Sequence, residues 1–266
     1  MVTIRDLKGK IALITGGSSG IGLETARLLS ENGTKVIITA RSHEKLKRAK
    51  EEVSGIISSY RTDVSDLDQV LELSNKIEMD HGKIDILVNS AGIVHPGLLK
   101  DLTYDQVNSM IDVDLKGTIN VTKSLLNLIG SPGYIINISS MAGYVGVYGY
   151  TAYSAAKFGV WGFSQSLRME LEPENIGVSV VFPPDTDTPQ LEFENRTKPE
   201  ELKKISGTIK PIPPKAVASS ILRALRNGEF MVFPDKASLT TYHAVRLAGP
   251  MVRGWMDRKV RDTRSE

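Results

Sequence analysis

In the stretch YTAYSAAK, residues 150–157, two tyrosines and a lysine have the types and spacing for proton chemistry. Tyr153 and Lys157 are four residues apart, which on a helix places both side chains on one face. An ammonium beside a phenol favours phenolate and turns a poor acid into a tunable proton donor. Moving a tyrosine from its reference pKa to neutrality takes about 3 units, or roughly 4 kcal/mol. One lysine does not supply that alone, so a cofactor charge has to help. By itself the pair also fits a plain half-exposed helix. Of the eight tyrosines, however, only Tyr153 has lysine at i+4.

A second pattern points to that cofactor. TGGSSGIG, residues 15–22, follows an apolar run and opens a helical pattern. Gly16, Gly20 and Gly22 permit tight turning and close backbone approach, leaving helix N-terminal amides to hold a pyrophosphate; Ser18, Ser19 and Ile21 complete the loop. The spacing is G-x-x-x-G-x-G, unlike the common dinucleotide fingerprint G-x-G-x-x-G. About twenty residues on, an NAD site carries an acid for the ribose hydroxyls. Here the stretch is ITARS, with Ala40 in the acid's place and Arg41 and Ser42 after it. A guanidinium offers a 2′-phosphate a charge-assisted fork that a carboxylate would repel. The expected cofactor is therefore NADP(H).

These groups need a scaffold. Short apolar runs at Ile11–Ile14, Val36–Thr39, Ile56–Ile57, Ile84–Val88, Tyr134–Ile138, Val178–Phe182 and Phe230–Phe233 alternate with helical patterns near 20–32, 43–53, 66–81, 104–129, 151–172 and 214–227. Continuous apolar strands imply a parallel sheet covered on both faces, and the alternation implies right-handed crossovers. The fold class is α/β: one doubly wound domain over 1–236, with no repeat or linker inside it. Two regions break the pattern. Residues 183–214, rich in proline and charge, read as a long functional loop. Residues 237–266 form a tail mixing Leu239, Tyr242, Val245, Met251, Val252 and Trp255 with Arg246, Arg253, Arg258 and Lys259, and Pro250 forbids one continuous helix there.

TGGSSGIG, VNSAG (88–92), NISS (137–140) and YSAAK (153–157) together, in this order and spacing, resemble the short-chain dehydrogenase/reductase superfamily over most of residues 8–233. The resemblance implies a nicotinamide-dependent oxidoreductase on a Rossmann-type sheet of seven parallel strands, ordered 3-2-1-4-5-6-7. By position it implies Tyr153 as acid/base, Lys157 on the nicotinamide ribose and Ser140, rather than Ser139, on the substrate oxygen. Asn89, Ala91 and Gly92 correspond to the turn beneath the cofactor, and Asp63 and Val64 to its adenine side. Pro183, Thr186 and Thr188 fall where the family contacts the nicotinamide carboxamide. Asp114, in DVDLKG, stands where the family has an asparagine of the proton relay. Tyr150 matches no family role and reads as packing or pocket wall.

The loop motifs PPDTDTP (183–189) and NRTKP (195–199) resemble the 3-ketodihydrosphingosine (3-ketosphinganine) reductase branch, implying a ketone on a long-chain amino alcohol. Asp185 and Asp187 would attract its ammonium; the alternative for either is a turn or cap role. Other substrates open to the scaffold are a 3-oxoacyl thioester or a hydroxysteroid, and an NADP-binding sensor without turnover is the reading from another class. The superfamily likeness also implies a homodimer or homotetramer.

Composition removes several classes. The 266 residues carry formal net charge +2, so nucleic acid is not an expected partner. There is no cysteine, and His43, His81, His95 and His243 lack ligand spacing, so no metal site is expected. No stretch approaches the ~20 apolar residues of a membrane span, and MVTIRDLKGK has no signal-peptide core. The expected location is cytoplasmic, with the tail either packed on its own domain or lying peripherally on a membrane.

Overall fold

The computed structural model describes residues 2–206 and 210–265. Seven strands form one parallel sheet: β1 (Ile11–Thr15), β2 (Lys35–Ala40), β3 (Ile56–Arg61), β4 (Ile84–Asn89), β5 (Ile129–Ile138), β6 (Ile176–Val181) and β7 (Met231–Val232). Their spatial order is β3-β2-β1-β4-β5-β6-β7. The order reverses between β1 and β4, where the crevice at the strands' carboxyl ends is the place for a ligand.

Alternation along the strands divides the core. Ala12 and Ile14 of β1, Val36 and Ile38 of β2, and Ile86 and Val88 of β4 pack on one face beneath α1 (Gly20–Glu31) and α9 (Pro214–Asn227), through Ala26, Leu29, Val217 and Ile221. Leu13, Ile37 and Leu87 point the other way. They meet α3 (Leu67–His81), α5 (Gly117–Leu125) and α6 (Thr151–Leu171) through Leu73, Ile77, Val121, Leu125 and Leu167. Both sheet faces are covered, as the unalternated apolar strands require. The remaining crossover helix, α2 (His43–Glu52), is capped by the Ser42 hydroxyl, which accepts from Lys45 N at 3.3 Å.

Two expectations change, and the tail takes the broken form that Pro250 implies. The pattern at 104–129 is interrupted: α4 (Tyr104–Met110) passes through a π-helical turn, Ile111–Lys116, into α5. Such turns insert a residue into the helix and re-aim a side chain; here the segment carries Asp114. The region 183–214 holds two helices, α7 (Pro189–Thr197) and α8 (Glu200–Ser206), with residues 207–209 outside the described residues. Thr188 caps α7 by accepting from Leu191 N, and Pro189 fills the first helical position, where its missing N–H costs nothing. The tail, apart from Glu266, which lies outside the described residues, is helical over Lys236–Ser265 (α10), broken at Ala248 (φ −125°, ψ 32°), two residues before Pro250.

The first half of α10 is anchored. Tyr242 packs among Tyr144, Trp161 and Phe233, and Tyr144 Oη donates to Ser238 O at 2.8 Å. The second half spans the mouth of a cleft at the sheet's carboxyl edge. No described helix is long and apolar enough to cross a membrane.

Candidate active site

The end of β5 and the start of α6 bring three predicted residues together. Ser140 is in extended backbone just past β5, and its hydroxyl hydrogen-bonds the Tyr153 phenol. Ser139 is buried and donates to Lys157 O at 2.9 Å, so of the two serines Ser140 is the one bonded to Tyr153. Lys157 lies one helical turn after Tyr153, is 4% exposed, and holds its Nζ 5.5 Å from the Tyr153 ring centroid. That ammonium donates to Ile138 O at 3.2 Å and stands 3.8 Å from Asp114 Oδ2.

Asp114 is fully buried. Its Oδ1 accepts from Ile93 N at 2.8 Å, while its Oδ2 has no hydrogen-bond partner. Burial outweighs the opposing pull of Lys157 and the Ile93 amide and raises its pKa to about 6. The Asp114 backbone carbonyl accepts from Thr118 Oγ1 at 2.9 Å. A Cβ at Gly92 would stand 3.2 Å from Asp114 Oδ1 and 3.4 Å from Lys157 Nζ, so the turn passes close over the pair.

Burial is also the main influence on Tyr153, and it raises the phenol pKa well above the ordinary value. Asp114, Glu194 and Asp185 add to the rise, and the Ser140 hydrogen bond opposes it. The phenol is thus held protonated, the form that donates to a substrate oxygen.

Two joined spaces adjoin these groups. The larger, about 1400 Å³, is lined by Ser140, Tyr153, Lys157, Pro183, Thr186 and Thr188 and extends to Val252 and Trp255 of α10. The smaller, about 340 Å³, is lined by Ser18, Ala40, Arg41, Ser42, Asp63, Val64 and Ala91. Gly16, Ser19 and Gly92 belong to both, and Gly20, Ile21 and Gly22 line the larger. The glycine loop is closed tightly: a Cβ at Gly16 (φ 66°) would lie 2.8 Å from Ser90 O, and one at Gly22 would lie 2.4 Å from Gly16 O. No side chain caps the first turn of α1, so its amides face the trough free for an anion. The trough and its free helix amides fit a dinucleotide.

Two predicted residues stand elsewhere. Asn89 lines neither space: its Nδ2 donates to Thr122 Oγ1 at 2.9 Å and Asn137 Oδ1 at 2.8 Å, tying β4 to β5 beneath the site. Asp187 is exposed and outside the cleft lining, its amide bonded to Ile212 O. Two groups were missed. Lys45 adds a second cation beside Arg41, and Glu194 lines the large cleft, accepting from Tyr150 Oη at 3.1 Å. Nothing in their spacing marks either. Glu194 does directly precede the NRTKP motif. Among the described residues no acid/histidine group could hold a metal.

Comparison with known proteins places this geometry. Residues 10–199 match the model of the short chain dehydrogenase family. A 3-ketodihydrosphingosine reductase of Dictyostelium discoideum is 36% identical over 86% of this chain and 75% of its own length. A 3-dehydrosphinganine reductase of Arabidopsis thaliana is 38% identical over 85% and 70%. A 3-oxoacyl-[acyl-carrier-protein] reductase of Thermotoga maritima is 33% identical over 92% and 99%. In fold, the crystal structure of a short chain dehydrogenase/reductase from Burkholderia phymatum in complex with NAD superposes with TM-score 0.80 at 22% identity, over 91% of this chain and 95% of that one.

Proposed function

We propose, starting from the fact that this chain belongs to the short-chain dehydrogenase family, that it reduces the 3-ketone of a long-chain amino alcohol, 3-ketosphinganine to sphinganine, with NADPH. The observation that carries the reading is the Ser140–Tyr153 hydroxyl pair in a 1400 Å³ cleft whose walls run from the catalytic groups to apolar residues of α10. Several similar proteins are named for that reduction.

The cofactor supplies a hydride to the carbonyl carbon. The chain does the rest. Ser140 and Tyr153 donate hydrogen bonds to the ketone oxygen, and each well-aimed donor contributes roughly 2–4 kcal/mol as negative charge develops there. Tyr153 then gives its proton to that oxygen. Lys157 holds the ribose and its charge favours the resulting phenolate. Asp114, 3.8 Å from that ammonium, keeps it oriented between Ile138 O and the cleft. Arg41 and Lys45 receive the 2′-phosphate, Ser42 caps the helix beside them, and Asp63, Val64, Ala91 and Gly92 bracket the adenosine. Pro183, Thr186 and Thr188 flank the nicotinamide.

A second reading, reduction of a 3-oxoacyl thioester, is favoured by the match to nearly the whole length of the Thermotoga relative. Reduced-nicotinamide absorbance with each ketone separates the two. Residues 1–236 act as the catalytic unit and α10 as its apolar entrance. Its exposed Leu247, Met251 and Trp255 (84, 77 and 63%), interspersed with Arg246, Arg253 and Arg258, meet a lipid surface. Two copies pair through α6, where Phe158 and Met169 are exposed.

A further inference from the structure

The cleft contains a carboxylate that hydride and proton transfer do not use. Glu194, on α7, is half-buried, and Tyr150 Oη donates to its Oε2 at 3.1 Å. Gln190, one turn earlier on the same helix, gives it a second hydrogen bond. Tyr150 is itself buried, and its ring meets Tyr153 edge-on with centroids 6.2 Å apart. The carboxylate is therefore fixed one ring away from the phenol that donates the proton. Asp185 lines the same cleft, its backbone carbonyl accepting from Ile212 N at 3.0 Å.

Charges of both signs line this wall. Asp185 and Glu194 stand with buried Lys198, whose Nζ lies 5.6 Å from the Tyr150 ring, and Arg253, Asp257, Lys259 and Arg261 line the cleft from α10. Deeper in, Asp114 and Lys157 face each other as one of each sign. Asp114, Glu194 and Asp185 each raise the Tyr153 phenol pKa. Burial and Asp185 raise the Glu194 carboxyl pKa against the pull of Lys198, so its charge is held at a cost.

Resting on the ketone-reductase reading, we propose that Glu194, positioned by Tyr150 and assisted by Asp185, is the specificity-determining residue for a primary ammonium on the carbon next to the substrate's ketone. With the ketone oxygen on Ser140 and Tyr153, a nitrogen on the adjacent carbon is placed against the wall bearing Tyr150 and Glu194. An ammonium there makes a charge-assisted hydrogen bond to the Glu194 carboxylate. It also offsets the carboxylates that hold the Tyr153 proton, easing that proton's transfer to the oxygen. A thioester or steroid ketone brings no such charge and forgoes that charge-assisted hydrogen bond.

The test compares kcat/KM for a long-chain 2-amino-3-ketone with that for the same chain lacking the amine, in the wild type and in Glu194→Gln. The expected result is that the amine-to-neutral ratio falls about 10- to 100-fold in the variant, and falls less in Tyr150→Phe, which loosens the carboxylate without removing it. An unchanged ratio in Glu194→Gln overturns the proposal. A binding measurement keeps it separable from the reduction itself. The NADPH-loaded wild type should bind a medium-chain primary alkylamine more tightly than the alcohol of equal length, and Glu194→Gln should lose that preference. If no ketone is turned over but the amine preference is present and lost in the variant, the ammonium site stands and the reduction falls. Equal binding of amine and alcohol by the wild type removes the site.

Discussion

Burial and the Lys157 charge act in opposite directions on Asp114, and burial wins, leaving its pKa at about 6 against an ordinary 3.8. Between those values the folded chain holds this proton more tightly than the unfolded chain, so folding stability falls as pH rises through the window. Asp114→Asn lacks the titration. Its stability relative to the wild type should therefore climb from pH 4 to pH 6 by on the order of 2 kcal/mol, measured by urea unfolding at each pH; parallel curves would contradict the assignment. Tyr153→Phe should lower kcat about 1000-fold while NADPH binding, followed by fluorescence, persists. A variant with normal turnover would remove Tyr153 as the acid. The nearness of Tyr153 and Lys157 was legible in the sequence because a helical four-residue step is a local fact, whereas Ser140 came from the family resemblance alone. Glu194 was not legible, because only the fold of α7 over α6 brings it to Tyr150.

At the scale of elements, the proposed preference for NADPH rests on the turn between β2 and α2. Arg41 and Lys45 flank the capping Ser42 at the adenosine end of the trough. Arg41→Asp should reverse the sign of charge there and cut the NADPH-to-NADH ratio of kcat/KM at least ~10-fold; an unchanged ratio would reassign the arginine to the surface. The strand and helix order was readable because each strand is a continuous apolar run between helical patterns. Helix α7 was not recognised, although Thr188-Pro189 carries an N-terminal signature. The π-turn at Ile111–Lys116 left no mark, since its apolar pattern is compatible with an uninterrupted helix. The break in α10 was foreseen from Pro250 and falls at Ala248.

The whole molecule joins a polar reaction centre to an apolar entrance. Trp255 lines the cleft from α10, and Met251 and Leu247 are exposed on the same helix beside cations, an arrangement suited to taking a lipid from an anionic surface. Replacing all three by serine should lower cosedimentation with anionic vesicles and raise KM for a long-chain ketone several-fold, with kcat changed little. Equal recovery on vesicles would confine α10 to packing. Residue composition announced an apolar and basic tail, but its placement over the cleft depends on Tyr242 docking among Tyr144, Trp161 and Phe233, a contact no local pattern predicts. The central claim is the reaction, and it is tested most directly by the loss of reduced-nicotinamide absorbance with purified protein. Rapid oxidation of NADPH, and not NADH, with 3-ketosphinganine in preference to a 3-oxoacyl thioester is the predicted result. Turnover of the thioester alone, or of neither ketone while NADPH still binds, would contradict it.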